Sequence, residues 1–128
     1  MPVPIPLLRL LRHCHPFRSR PWVVPVTPRN VREALTTGRL VATQGGDDHA
    51  GRIAWLMAHP SQEPIEIDVG VPGLGCHVDW FVQDGNHRLA AALMRGEPTI
   101  MACVSGDLHY AHDLFGIDCD EESLCPHF

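Results

Sequence analysis

Asp84, Gly85, Asn86, His87 and Arg88 stand in a row immediately before an apolar stretch, Leu89-Ala90-Ala91-Ala92-Leu93. A helix that begins here leaves backbone N–H groups without intrahelical acceptors, and its dipole adds partial positive charge at the same end. Arg88 in the first turn supplies a permanent cation whose planar fork matches two phosphate oxygens at once. The chemistry such a start offers is anion binding, with a phosphate group as the leading ligand. Asp84 or Asn86 can cap the helix, and Gly85 permits a backbone angle or a close ligand approach that a Cβ would block. The same residues also fit an ordinary capped helix with His87 and Arg88 on its solvated face.

Turnover would need a group that positions or deprotonates a nucleophile, and Asp84 and His87 are the nearest catalytic candidates. Asp84 can instead cap the helix or hold the His87 ring in one tautomer. Asp47, Asp48 and His49 form a second polar cluster at a helix start, able to supply a base or Mg²⁺ ligands, although helix caps commonly have this composition. Glu66 and Asp68 are spaced to share one side of a strand and read as solvated carboxylates. Trp55 and Trp80 sit where aromatic rings more often fill a core than stack a base.

The elements that must position these residues are legible from periodicity and stop signals. Residues 78–83, Val-Asp-Trp-Phe-Val-Gln, are rich in β-formers, so the motif lies on a strand–turn–helix, and Gly96 stops the helix. Upstream, Thr27 caps and Pro28 opens a helix that Gly38 closes. Leu40-Val41-Ala42 is a short strand candidate, and residues 45–48 are a turn and cap for a second helix over 50–59. Residues 64–69 alternate as a half-buried strand, 71–75 are a turn, 99–104 are another strand, and Asp107 begins a short last helix. Prolines at positions 2, 4, 6, 16, 21 and 25 make long regular elements improbable before residue 26 beyond a turn around 7–12. The expected organisation is a Pro/Arg-rich arm over 1–26, an α/β domain over 27–116, and an acidic tail over 117–128.

Asp-Gly-Asn-His-Arg-Leu-Ala-Ala-Ala, followed by Arg95-Gly96 and the strand-like Thr99-Ile100-Met101-Ala102-Cys103-Val104, resembles the phosphate-binding box of the ParB/sulfiredoxin-like superfamily. The similarity runs from about Pro64 to Asp107. Partition-type ParB domains have Gly-Glu-Arg-Arg at this place, sulfiredoxins Gly-Cys-His-Arg, and a serine-kinase-like branch Asp-Gly-His-His-Arg, which this chain matches best. The resemblance implies an α/β (α+β) fold with a small mixed β-sheet flanked by helices, in which Gly85, Asn86, His87 and Arg88 touch nucleotide phosphates. It also implies a nucleoside triphosphate with Mg²⁺ as cofactor. Asn86 stands where sulfiredoxin chemistry needs a thiol, and His87 and Ala90 stand where partition proteins carry further arginines. The chain is also too short for the helix-turn-helix and dimerisation domains of a partition protein.

At 128 residues the chain suits one domain with one core. No apolar run approaches the roughly 20 residues that span a bilayer, and Arg9 and Arg12 interrupt the leucine-rich start, so a cytoplasmic protein is expected. Arg9, Arg12, Arg18, Arg20, Arg29, Arg32 and Arg39 precede residue 40 with Glu33 as the only acid among them, while the whole chain has a net charge of −5. This basic start can bind nucleic acid, or pair with Asp118, Asp120, Glu121 and Glu122 of the acidic tail. Cys14, Cys76, Cys103, Cys119 and Cys125 are odd in number and scattered, which argues for mostly reduced thiols, with Cys103 in an apolar strand; none of the Cys and His spacings is that of a zinc knuckle. Two function classes follow. One is a nucleotide- or phosphate-binding domain with nucleotide hydrolysis, phosphoryl transfer or nuclease activity; the other is a non-catalytic DNA- or protein-binding regulatory module of a phage or mobile element.

Overall fold

The computed structural model describes residues 2–18 and 21–117. The expected acidic tail and its carboxylates therefore lie, apart from Ile117, outside the described residues. Among the described residues the fold is α/β, a mixed four-stranded sheet with five α-helices. Its residues divide into two compact units, a sheet unit (2–14, 63–85 and 98–117) and a helical unit (15–18, 21–62 and 86–97).

The sheet unit is built from β1 (Val3–Pro6), β2 (Ile65–Asp68), β3 (Val82–Asp84) and β4 (Thr99–Ser105), in the order β1-β4-β2-β3. β2 and β4 run parallel and the two outer pairings are antiparallel. β1 escapes a periodicity search because Pro4 and Pro6 interrupt it, but it is an edge strand, where a missing N–H leaves no ladder bond broken. It leads into α1 (Leu7–Leu11), whose Leu7, Leu10 and Leu11 are buried. Alternation in β2 buries Ile65 and Ile67 and exposes Glu66, as a half-buried strand requires. β3 is shorter than the β-rich run preceding it: its pairing with β2 covers only Val82 and Asp84 and shifts register between Glu66 and Ile67.

The parallel pair ends on a backbone-to-backbone contact. Val69 N–H donates to the Ser105 carbonyl (3.1 Å) and Asp107 N–H to the Gly70 carbonyl (2.9 Å). Gly106 sits there at φ +97°, and a Cβ on it would come within 2.5 Å of the Gly70 oxygen, so only glycine fits. Asp107 then caps α5 (Leu108–Phe115) by accepting from Tyr110 N–H at 3.1 Å. Phe115 from α5 and Phe81 meet edge-to-face with ring centres 6.3 Å apart.

The helical unit contains α2 (Pro28–Thr37), α3 (His49–Ala58) and α4 (Asn86–Arg95). Thr27 and Asn30 form a reciprocal capping box at the start of α2, and Gly38 closes that helix in the left-handed region. Leu40-Val41-Ala42 is not a strand. Val41 N–H donates to the Gly51 carbonyl, and the carbonyls of Val41 and Ala42 accept from the Arg52 side chain, so their backbone groups are spent on α3. The core joins Trp22, Val26, Val31, Ala34, Ile53, Ala54, Leu56, Ala90 and Ala91.

The first eleven residues carry more of the sheet unit than their proline content indicates. Ile5, Leu7, Leu10 and Leu11 are 0, 3, 0 and 9 % exposed. Full burial of each such side chain contributes roughly 1.5–3 kcal/mol, an upper bound against a compact unfolded chain. A chain lacking residues 1–11 is expected to lose roughly 5 kcal/mol or more and to lose the sheet signal in circular dichroism; urea unfolding beside the full chain measures it.

Candidate functional site

α3 and α4 pack together in the core of the helical unit, and the face of α4 that carries His87 is small. Ala54 on α3 and Ala90 and Ala91 on α4 are essentially fully buried. On α4, His87 shares a face with Ala90, Ala91 and Met94 at helical spacing, and on α3, His49 shares one with Arg52, Ile53 and Leu56. His49 Nδ1 and His87 Nε2 therefore meet at 2.9 Å, with the rings stacked at 27° and centres 5.1 Å apart. Trp22 covers both rings, its own centre 4.8 Å from His49 and 4.7 Å from His87. The Trp22 indole N–H donates to the Pro16 carbonyl at 2.6 Å, which fixes its plane.

One ring nitrogen of the histidine pair donates and the other accepts, so two imidazolium rings could not keep this bond. The surroundings already oppose a charge on His87. Burial first, then the charges of His49 and Arg52, push its pKa down to about 4. At neutral pH His87 is an uncharged imidazole.

Arg52 lies one turn along α3 and is only 9 % exposed. Its Nη1 donates to the Ala42 carbonyl at 2.7 Å and more distantly to Val41 at 3.4 Å, and its Cζ lies 5.1 Å from the centre of the Trp55 ring. Its buried Nε has no acceptor among the described residues. Burial and the nearby charge of Arg88 both pull its pKa below the ordinary guanidinium value.

The residues singled out by sequence fall as follows. Asn86, His87 and Arg88 form the first turn of α4 in the helical unit. Asp84 ends β3 in the sheet unit and is exposed, and Gly85 follows at φ +100°, a backbone region that side chains other than hydrogen rarely adopt. Asp48 is the α3 cap: one carboxylate oxygen accepts from Gly51 N–H at 3.0 Å, and the other meets Arg39 Nε at 2.7 Å. The Arg39 guanidinium chiefly holds the Asp48 carboxyl below its usual range. Asp47 is exposed, and its backbone carbonyl accepts from His49 N–H. Among the described residues no three His, Cys, Asp or Glu side chains gather to hold a metal ion. No described helix is long and apolar enough to cross a membrane.

Of the early arginines, Arg9 and Arg12 belong to the sheet unit and Arg18, Arg29, Arg32 and Arg39 to the helical unit, while Arg20 lies outside the described residues. Cys14 is buried and burial raises its thiol pKa. Cys103 is half-buried on β4 and disulfide-bonded, so it is not among the reduced thiols that the scattered cysteines led one to expect. Trp55 stacks on His59 at 4.3 Å and carries Arg52. Sequence reasoning missed Trp22 and Arg52. The second had a readable signal, since an arginine three residues after His49 and one before Ile53 falls on the apolar face of its helix. Trp22 had none, because a tryptophan among prolines has no periodicity to place it.

No protein-family model matches the chain, and neither a curated protein nor a solved structure matches it.

The His87 environment sets a sign for acid sensitivity. Its folded-state pKa of about 4 lies below the ordinary imidazole value of 6.5, so between these pH values the unfolded chain holds more of this proton. The contribution of neutral His87 is fully present above pH 6.5 and is lost as pH falls towards 4. Ring carbon shifts of His87 followed by NMR should titrate near pH 4, with urea midpoints lower at pH 5 than at pH 7 and little changed between pH 7 and 8; a His87 midpoint near 6.5 would contradict the described environment.

Proposed function

We propose that the chain binds a phosphate-bearing ligand, a nucleotide foremost, at the start of α4 through Asn86, His87 and Arg88, with Gly85 allowing the chain to turn into that helix. The observation that carries the reading is electrostatic. The Arg88 charge in the first turn of α4 acts on a second, covered guanidinium, Arg52, and α4 adds the positive end of its dipole. His87 is neutral at that place and adds no competing negative charge. A bound anion relieves the repulsion between the two arginines, so its binding is favoured by charge as well as by hydrogen bonds.

The motif's likeness to the ParB/sulfiredoxin-like phosphate box supports a nucleoside triphosphate as ligand. Mg²⁺ fits this reading as a companion of the phosphates, drawing its ligands from their oxygens and from water, because Asp48 is committed to Arg39 and to the α3 cap. His87, neutral at pH 7, is able to accept a proton from a nucleophile. Nucleotide hydrolysis, phosphoryl transfer and phosphodiester cleavage are the activity classes this reading admits.

Arg88→Ala tests the reading. Losing one charge-assisted bidentate contact costs on the order of 1.5–3 kcal/mol, which corresponds to affinity weakened about tenfold or more. Calorimetric titration of wild type and variant with nucleoside triphosphates, with and without Mg²⁺, should show that loss at an unchanged melting temperature. Equal affinities in the two proteins would refute the assignment.

A further inference from the structure

His49 and His87 meet nitrogen to nitrogen, Nδ1 of the first 2.9 Å from Nε2 of the second. Trp22 lies against both rings, with 4.8 and 4.7 Å between centres, and holds their planes. The second ring nitrogen of His87, Nδ1, makes no hydrogen bond to any described residue. Unlike Arg52 Nε it is not covered from solvent. The ring thus has one nitrogen spent on α3 and one open, in the same first turn of α4 as Arg88.

His87 is uncharged at neutral pH and carries a single ring proton, whose place is decided by the bond that Nε2 makes. If His87 Nε2–H donates to His49, Nδ1 is bare and turns a lone pair outward. If His49 Nδ1–H donates to His87 Nε2, the His87 proton sits on Nδ1, which becomes an outward donor. A phosphate dianion offers only acceptor oxygens and is compatible with the second state alone.

We propose that His49 is a positioning residue for the phosphate site: its Nδ1–H holds His87 in the Nδ1–H form, and that N–H donates to a phosphate oxygen at the start of α4. The role deepens, and rests on, the phosphate reading of α4. His49 touches no ligand in it and acts through His87, from the first residue of α3. The other form of His87, bare at Nδ1, is the one able to take a proton from a nucleophile. His49 therefore sets which of the two tasks His87 performs.

Inorganic pyrophosphate added to the full-length wild-type protein at neutral pH tests the proposal, with NMR reading the ring nitrogens of His87 and the backbone amides of Asn86 to Arg88 in one titration. The expected result is that the amides shift and that bound His87 is protonated at Nδ1 and bare at Nε2. Amide shifts with His87 protonated at Nε2, or at both nitrogens, would overturn the role of His49 and leave the phosphate reading standing. No shift at Asn86 to Arg88 would bring down the reading and the proposal together. His49→Asn keeps an N–H donor near the place of the ring Nδ1, whereas His49→Leu removes it. The asparagine variant should bind pyrophosphate as wild type does and keep His87 in the Nδ1–H form, while the leucine variant should bind about tenfold more weakly, the worth of one hydrogen bond to a charged group. Wild-type affinity in the leucine variant, or an equal loss in both, would refute the positioning role. A nucleoside triphosphate titrated alongside identifies the source of the group: tighter binding than pyrophosphate assigns it to a nucleotide, and equal binding to the free phosphate.

Discussion

The close approach of α3 and α4 is the constraint from which the chemistry of the helical unit follows. Alanines at positions 90 and 91 bury almost completely and leave little bulk on the face of α4 that carries His87. Larger side chains there would hold the axes apart, and interior packing has little slack to absorb the difference. With the axes close, the helix starts come together: His87 lies one turn ahead of Ala90 and Ala91 on α4, and His49 one turn ahead of Ile53 on α3. His49 and His87 do so at 2.9 Å, under the Trp22 ring.

Charge then follows from geometry. Two helix beginnings contribute positive dipole ends, and α3 and α4 add Arg52 and Arg88 to the same neighbourhood. The acid that caps α3, Asp48, is withdrawn by Arg39 and by that capping role. An imidazole placed here loses its charge, and a guanidinium, which cannot give up its proton at any ordinary pH, stays charged and covered. The folded helical unit thus keeps a charged guanidinium whose hydrogen bonds go to the carbonyls of Val41 and Ala42.

The sheet unit rests on a different device. Its centre is the parallel β2–β4 pair, buried through Ile65, Ile67, Ala102 and Val104. The ends of that pair are closed by glycine backbone rather than by side chains, at Gly70 and Gly106. On the open side of β4, β1 supplies a proline-bearing edge that completes the ladder yet offers few N–H groups for further pairing. Ile5, Leu7, Leu10 and Leu11 add buried area from the same short segment.

Local signals were sufficient wherever one residue's backbone preference decides the outcome. Thr27 and Pro28 start a helix, Gly38 ends it, Asp48 and Asp107 cap theirs, and the alternation of β2 and the glycine before α4 were all readable in order along the chain. The placement of Asn86, His87 and Arg88 in the first turn of α4 was also a local inference, because the glycine and the helix that follows it are adjacent in the chain. Pairings between distant residues carry no such signature. The edge strand at Val3–Pro6, the fate of residues 40–42, and the meeting of His49 with His87 depend on which surfaces bury together, and that is set by packing energy summed over the unit. Arg52 shows the division most sharply. Its sequence spacing put it on an apolar helix face, but only the fold decided that two carbonyls and a tryptophan would cover it without an acid, since burial is a property of every neighbour at once.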